Sequence, residues 1–181
     1  MSRLLFFVAL VAVALSSRAQ NLSVYTNPEG RYALTPSAGW TVRTSGSDSF
    51  VYAPEEGDMD PWSEKLEFSK ADGEDITLGD AFDFYTNTDF PAAYGKFKLV
   101  AKGDETINGL PAKWAVFTFS ATGEAATPSG DSTLSATLQA LFYVIKKDNA
   151  LYLINGVTEK SLFASFDLPF RTIIRTFRVV E

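Results

Sequence analysis

A run of five apolar residues, Leu141 to Ile145, constrains the fold more than any other feature of this chain. The run reads Leu-Phe-Tyr-Val-Ile and shows no alternation of polar and apolar residues. An antiparallel strand with one face in water alternates, whereas a strand that is covered on both faces does not. The chain must therefore place a layer of structure on each side of this strand.

Two segments have the helical spacing that could supply those layers. The first follows Thr77, whose hydroxyl can cap a helix, and we expect it to cover residues 78–88 and to end before Pro91. The second lies within residues 161–177, where Pro169 either marks the start of the helix or kinks it. The apolar stripe of this second segment consists of Leu162, Phe163, Phe166, Phe170, Ile173, Ile174 and Phe177.

Most of the other segments are typical of short strands separated by turns. Strand candidates occupy residues 22–26, 31–35, 40–43, 49–53, 65–69, 97–107, 112–121, 134–147 and 150–158. Residues 122–133 are rich in small and hydroxyl residues, and we expect a mobile hairpin loop there. We predict an α+β fold in which a central antiparallel β-sheet is sandwiched by helices. A lipocalin-like barrel is the alternative, but it gives the helix over 78–88 no clear role.

Three short motifs resemble the PsbP-like/Mog1-like superfamily. Residues 32–40, Tyr-Ala-Leu-Thr-Pro-Ser-Ala-Gly-Trp, resemble its opening, and residues 107–112, Ile-Asn-Gly-Leu-Pro-Ala, resemble its central hairpin. Residues 170–178 are similar to its last helix, which ends in a Ser/Thr-Phe pair. The resemblance implies an antiparallel sheet between helices and proteins that act mainly by binding other proteins. It implies no shared catalytic residues, because the matching positions are turn and core residues.

The first 19 residues have the three-part pattern of a secretory signal. A short basic start precedes the apolar run Leu4–Leu15, and the small residues Ser17 and Ala19 precede Gln20. Twelve apolar residues are too few to span a bilayer of about 30 Å. We expect cleavage before Gln20, which leaves a single domain over residues 20–181 and a periplasmic or extracellular bacterial location.

The residue types that are missing exclude several kinds of chemistry. The chain has no cysteine and no histidine, so it has no disulfide, no thiol nucleophile and no Ser-His-Asp site. Residues 20–181 carry 14 basic and 22 acidic residues, a net charge of −8, which disfavours binding to nucleic acid. We expect no enzyme activity, no metal and no cofactor. A hydrolase with a carboxylate pair is the remaining catalytic hypothesis.

An acidic loop around Trp62 contains the candidate binding residues. Asp58, Asp60 and Glu64 surround this tryptophan, and two further acids precede them. Carboxylates at alternate positions could supply oxygen ligands to Ca²⁺, but their spacing does not match an EF-hand, and a solvated acidic loop explains them as well. A large ring in a polar loop indicates either a lid over the core or an anchor for a partner.

These observations favour a binding protein over an enzyme. We expect an exported, non-catalytic accessory or binding module that acts through protein–protein contacts, as a monomer, with another exported or envelope protein as its partner. The alternative is a small-molecule or lipid carrier that uses an apolar cleft between the sheet and a helix. A closed apolar cavity would favour the carrier.

Overall fold

The protein is built on one long antiparallel sheet. In the computed structural model, residues 23–54, 64–127 and 130–180 are described, with backbone alone for 123–127 and 130–134. The large sheet has seven strands in the order β3 (Thr41–Ser45), β4 (Asp48–Tyr52), β5 (Lys65–Asp72), β9 (Ala150–Glu159), β8 (Gly130–Lys147), β7 (Leu110–Thr127) and β6 (Gly95–Ile107). Every pair of neighbours is antiparallel. The α+β class with an antiparallel sheet is therefore confirmed.

The edges of this sheet exclude the barrel alternative for the described part of the chain. Strands β3 and β6 lie at opposite ends of the strand order and do not pair with each other. A smaller sheet joins the two ends of the domain, because β2 (Tyr32–Leu34) pairs with both β1 (Tyr25–Asn27) and β10 (Arg178–Val179). The short C-terminal strand β10 had no counterpart in the sequence patterns.

Strand β8 is covered on both faces, as its composition predicts. Leu141, Tyr143 and Ile145 belong to one hydrophobic cluster. Phe142 and Val144, which point to the opposite face of the strand, belong to a second cluster. All five residues are almost completely buried.

Helix α3 (Phe163–Ile174) contributes to the first cluster through its buried residues. It begins before Pro169 and contains this proline, so the prediction of a start near Pro169 is wrong. Close packing on the sheet depends on Gly156 of β9, where an added Cβ would lie 2.9 Å from the ring of Phe170. The apolar contacts of the helix outweigh the hydrogen bond that the proline cannot donate.

The first helical segment contributes to the second cluster and is longer than predicted. Thr77 accepts a hydrogen bond from the backbone of Asp80 and caps α1 (Leu78–Phe84), as the sequence indicates. The helix then continues through a π-helical turn, Tyr85–Asp89, into α2 (Phe90–Ala93). Pro91 does not end it, because a proline at the start of a helical turn has no backbone donor to satisfy.

The prediction of a hairpin loop over residues 122–133 is wrong for 122–127 and 130–133, the residues of this range that are described. The backbones of β7 and β8 stay paired from Thr122 and Ser135 to Thr127 and Gly130. Hydroxyl and small residues are compatible with a strand once a partner strand satisfies their backbone groups, so tertiary pairing overrides the composition. No helix within the described ranges is long and apolar enough to cross a membrane. Residues 1–19, the predicted signal, lie outside those ranges.

Candidate functional site

Of the four residues predicted to form the acidic-loop site, Glu64 is the one that lies in the described part of the chain. Asp58, Asp60 and Trp62 lie outside the described residues. Glu64 lies just before β5, and its carboxylate accepts a hydrogen bond from the hydroxyl of Thr158 at 3.3 Å. Its backbone oxygen accepts a second bond, from the N–H of Ala53 at 2.9 Å. These contacts give Glu64 a structural role at the junction of β4, β5 and β9, and a shared site with the three other residues stays a prediction.

A different set of residues forms a connected polar cluster beside α3. The guanidinium of Arg171 lies over the ring of Trp114, with 4.7 Å between the guanidinium carbon and the ring centroid. Its Nε donates to Asp167 at 2.9 Å, and a terminal nitrogen donates to the hydroxyl of Tyr143 at 2.8 Å. The arginine is therefore held from three sides, by an aromatic face, a carboxylate and a phenol.

The cluster continues through a carboxylate to a second arginine. The hydroxyl of Tyr143 donates to Oε2 of Glu105 at 2.7 Å, while Nε of Arg175 donates to Oε1 at 2.9 Å. Both oxygens of Glu105 thus have a donor. The side chain of Arg175 is 55 % exposed, whereas that of Arg171 is 17 % exposed. The cluster therefore runs from the packed sheet to the solvent.

Two regular elements bring these residues together. Asp167 and Arg171 lie four residues apart on α3, and Arg175 follows four residues later as the residue that caps its C-terminus, so all three share one side of the helix. Trp114 of β7 lies directly opposite Tyr143 of β8, which puts their side chains on the same face of the sheet. The helix side and the sheet face meet at the Arg171 guanidinium.

Edge strand β6 makes room for the tryptophan with a glycine. Gly103 is paired with Trp114, and a Cβ added to this glycine would lie 2.9 Å from two atoms of the indole ring. Real side chains do not approach this closely, so the ring can lie against the β6 backbone at this position because the residue is glycine. Gly103 therefore leaves room for the ring on which Arg171 stacks.

The turn between β6 and β7 holds the end of α3 in place. Asn108 has a positive φ of 48°, as the predicted Asn-Gly turn requires, and its amide donates to the backbone oxygens of Arg175 at 3.0 Å and Phe177 at 2.7 Å. Carbonyl groups at the end of a helix have no partner within the helix. Asn108 supplies that partner and connects β6, which carries Glu105, to the helix end that carries Arg175.

The environment of the cluster shifts the pKa values of its members. Burial by itself would raise the pKa of Glu105, but hydrogen bonds from Tyr143 and Arg175 outweigh burial and lower the pKa below its usual value. Burial and the adjacent Glu105 carboxylate raise the pKa of Tyr143. The hydrogen bond to Glu105 raises the pKa of Arg175. At neutral pH Glu105 is therefore a carboxylate, Tyr143 a neutral phenol and Arg175 a charged guanidinium.

An exposed leucine lies on the same side of α3 as the two arginines. Leu168 is 68 % exposed and lies three residues before Arg171 and seven before Arg175, on the same side of α3. The apolar stripe predicts that one side of α3 packs on the core, but it predicts no function for the residues on the opposite side. A signal was present, because Leu168 lies outside that stripe and arginines recur at Arg171 and Arg175.

A second surface feature is a depression at the start of α3. Its volume is about 510 Å³, and it is open to solvent. The residues that line it are Ser135, Ala136, Thr137, Glu159, Lys160 and Ser161. This lining does not match the closed apolar cavity that a lipid carrier needs. Within the described ranges, no three acidic side chains gather closely enough to hold a metal ion.

Comparison with known proteins extends the assignment of the fold. The sequence matches no protein-family model and no curated protein. Among solved structures, the cyanobacterial PsbP (CyanoP) of Synechocystis sp. PCC 6803 matches with a TM-score of 0.58 at 16 % identity, over 87 % of this chain and 91 % of the other. The Saccharomyces cerevisiae Ran-binding protein Mog1p matches with a TM-score of 0.58 at 13 % identity, over 88 % of this chain and 95 % of the other.

A third solved structure is similar in fold as well. LpqN of Mycobacterium tuberculosis, described as involved in cell envelope biogenesis, matches with a TM-score of 0.56 at 13 % identity, over 91 % of this chain and 88 % of the other. Identities this low carry the fold and leave the function open. The resemblance of the three sequence motifs is therefore confirmed at the level of architecture, and this chain has the PsbP/Mog1-like fold.

Proposed function

We propose that the protein is an exported, non-catalytic accessory module that binds another exported or envelope protein through the outer side of α3. The observation that carries this proposal is Arg171, which is stacked on Trp114 and hydrogen-bonded to buried Tyr143, with exposed Leu168 on the same side of α3. Tryptophan and arginine are enriched at the energetic centres of protein interfaces, and buried Tyr143 holds the arginine in place from below. A rigid cluster loses little conformational entropy when a partner binds.

The architecture suits a protein that presents a surface. We interpret the fold as an antiparallel sheet sandwiched by helices, in which α3 forms the outer layer of one face. The Ran-binding description of Mog1p supports a role in protein binding, and the role of LpqN in cell envelope biogenesis supports an envelope location. The signal pattern in residues 1–19 supports export.

The carrier alternative has weaker support in the described residues. A lipid tail needs an enclosed apolar cavity, whereas the depression beside Ser135 and Lys160 is open to solvent. Both hydrophobic clusters contain contacting aromatic rings, such as the Tyr32–Phe177 pair at 5.6 Å and the Phe90–Phe142 pair at 4.8 Å between ring centroids. The binding module is therefore the function that we propose.

Site-specific photo-crosslinking in the source cells tests the proposal. Leu168 is replaced by the photoreactive residue p-benzoylphenylalanine, and Phe84 of α1 is replaced in a matched control. Both positions are large, apolar, helical and at least half exposed, but Phe84 lies far from the cluster in sequence and on a different helix. We expect a discrete protein adduct from position 168 and none from position 84. Equal or absent crosslinking at the two positions would contradict the proposal.

A further inference from the structure

Two arginines on α3 hold guanidinium groups whose orientation is already restrained. Arg171 uses Nε for Asp167 and one terminal nitrogen for Tyr143, and Arg175 uses Nε for Glu105. A guanidinium has five N–H donors, so most donors of this pair have no acceptor within the described part of the chain. One of the acceptors that orient the arginines, Glu105, is itself committed, because both of its oxygens are bonded.

An exposed apolar side chain lies on the same side of the helix as these arginines. Leu168 is the most exposed of the large hydrophobic residues in the described ranges, and it shares the outer side of α3 with Arg171 and Arg175. The side chain of Arg175 is more than half exposed, so its terminal nitrogens can be reached from solvent. The surface therefore combines oriented hydrogen-bond donors with one apolar contact point.

We propose that this surface binds an acidic segment of a partner protein, with carboxylates on the Arg171–Arg175 pair and an apolar side chain against Leu168. This inference rests on the proposed function and names the chemistry of the partner. The planar fork of a guanidinium matches the two oxygens of a carboxylate, and such charge-assisted pairs are stronger than neutral hydrogen bonds. Because Glu105, Tyr143 and Trp114 already hold the arginines, binding has little side-chain order left to impose.

Charge favours a protein segment over an anionic membrane as the occupant. Residues 20–181 carry a net charge of −8, which opposes approach to an extended anionic surface. A short acidic segment is repelled less, because at physiological ionic strength the acidic residues of this protein that lie more than about 8 Å from the segment are screened. Direct contacts at Arg171 and Arg175 then decide whether the segment binds.

The test uses a pair of synthetic peptides that differ in charge alone. The first is a helical peptide with a leucine between two glutamates one turn apart, and the second has glutamines in place of the glutamates. Each is titrated into the protein while the Nε–H NMR signals of Arg171 and Arg175 are followed. We expect the glutamate peptide to shift both signals and to bind at least about tenfold more tightly than the glutamine peptide.

Matched arginine variants place the binding on α3. Arg175→Gln is expected to weaken binding of the glutamate peptide about tenfold. Arg43→Gln is the control and should change the affinity less than about twofold, because Arg43 is also exposed and lies over an aromatic ring, that of Tyr52, but on strand β3. Backbone NMR spectra of both variants verify that the fold is retained.

Several outcomes would overturn the inference. They are equal affinity for the two peptides, no binding of the glutamate peptide at millimolar concentration, unchanged affinity in Arg175→Gln, or binding of anionic phospholipid vesicles in place of the peptide. The proposed function is tested separately by crosslinking at position 168. An adduct there that forms equally well in Arg175→Gln would leave the proposed function standing and reject the acidic partner.

Discussion

The guanidinium of Arg171 lies over the indole ring of Trp114, 4.7 Å from its centroid, and at the same time donates to the hydroxyl of buried Tyr143. This arrangement joins α3 to the sheet through a polar contact at the margin of an apolar core. A hydrogen bond to a buried hydroxyl contributes to stability because water cannot replace it there. Arg171 therefore stabilises the packing of α3 as well as shaping the surface.

Replacing Arg171 by alanine should lower the free energy of unfolding by about 1–3 kcal/mol, because the variant loses a charge-assisted hydrogen bond and a cation–π contact. The control is Arg43→Ala, which removes an exposed arginine from the ring of Tyr52 and should cost less than about 1 kcal/mol. Urea unfolding of both variants measures the difference. Equal losses would show that the Arg171 contacts are no stronger than an exposed pair.

Glu105 should make stability depend on pH in the acid range. Its pKa is lowered in the folded state, so its contribution is complete above the unfolded value, about 4.3, and is lost as the pH falls through the folded pKa. The difference in unfolding free energy between the parent and Glu105→Gln should therefore shrink from pH 6 to pH 3. Urea midpoints at several pH values provide the measurement, and a constant difference would contradict the cause given for the shift.

Ionisation of Tyr32 should lower the stability of the fold at alkaline pH. Burial raises its pKa to about 12, and its hydroxyl donates to the backbone oxygens of Ser47 at 3.2 Å and Phe68 at 3.3 Å. The unfolded chain ionises this tyrosine near pH 10, so its stabilising effect is complete below pH 10 and lost as the pH rises through the folded value of about 12.

Tyr32→Phe should therefore lose less stability than the parent between pH 10 and pH 12, although it starts lower by about 1–2 kcal/mol at neutral pH. Urea unfolding curves recorded at a series of pH values across this range measure the free energy of unfolding of both proteins. Several tyrosines, Tyr143 among them, have a raised pKa in the parent, so absorbance at 295 nm should show one fewer late-ionising tyrosine in the variant. Parallel pH profiles for the two proteins would refute the prediction.

Gly103 should not tolerate a side chain, because an added Cβ would push against the ring of Trp114 at 2.9 Å. We expect Gly103→Ala to cost about 1–3 kcal/mol, the range for strain in a packed site, and to change the tryptophan fluorescence. Gly79→Ala in α1 is the control, since its Cβ would meet only the hydroxyl of Thr77 at 3.7 Å and alanine favours a helix. Thermal melts compare the two. A neutral Gly103→Ala would mean that Trp114 can move without loss.

The substitution Asn108→Gly distinguishes the two roles of Asn108, which are to form the turn and to bond the end of α3. Glycine keeps the positive φ of 48° at no cost but removes both donors to the backbone oxygens of Arg175 and Phe177. We expect a loss of about 1–2 kcal/mol in unfolding free energy. Amide hydrogen exchange should increase in the last turn of α3 and remain unchanged in β8. Unchanged exchange at the helix end would show that Asn108 serves the turn alone.

The sequence by itself determined the class of the fold and its centre. Leu141–Ile145 predicts a strand covered on both faces, and Thr77 predicts a helix start, because hydrophobic burial and helix capping act through residue type and local spacing. The Asn108–Gly109 turn was also predictable, since few residues accept positive φ. Export before Gln20 and the role of Trp62 stay predictions.

The tertiary structure alone decided where the polar chemistry gathers. Glu105, Trp114, Tyr143 and Arg171 lie on three strands and a helix, and no local pattern relates positions that are up to 66 residues apart. Local composition also wrongly predicts a helix end before Pro91 and a loop within residues 122–133. A π-helical turn continues the helix through Pro91, and pairing between β7 and β8 satisfies the backbone groups of the predicted loop. Residue type and spacing along the chain are local properties, whereas a hydrogen-bonded cluster forms only when the sheet register and the helix position bring its members together.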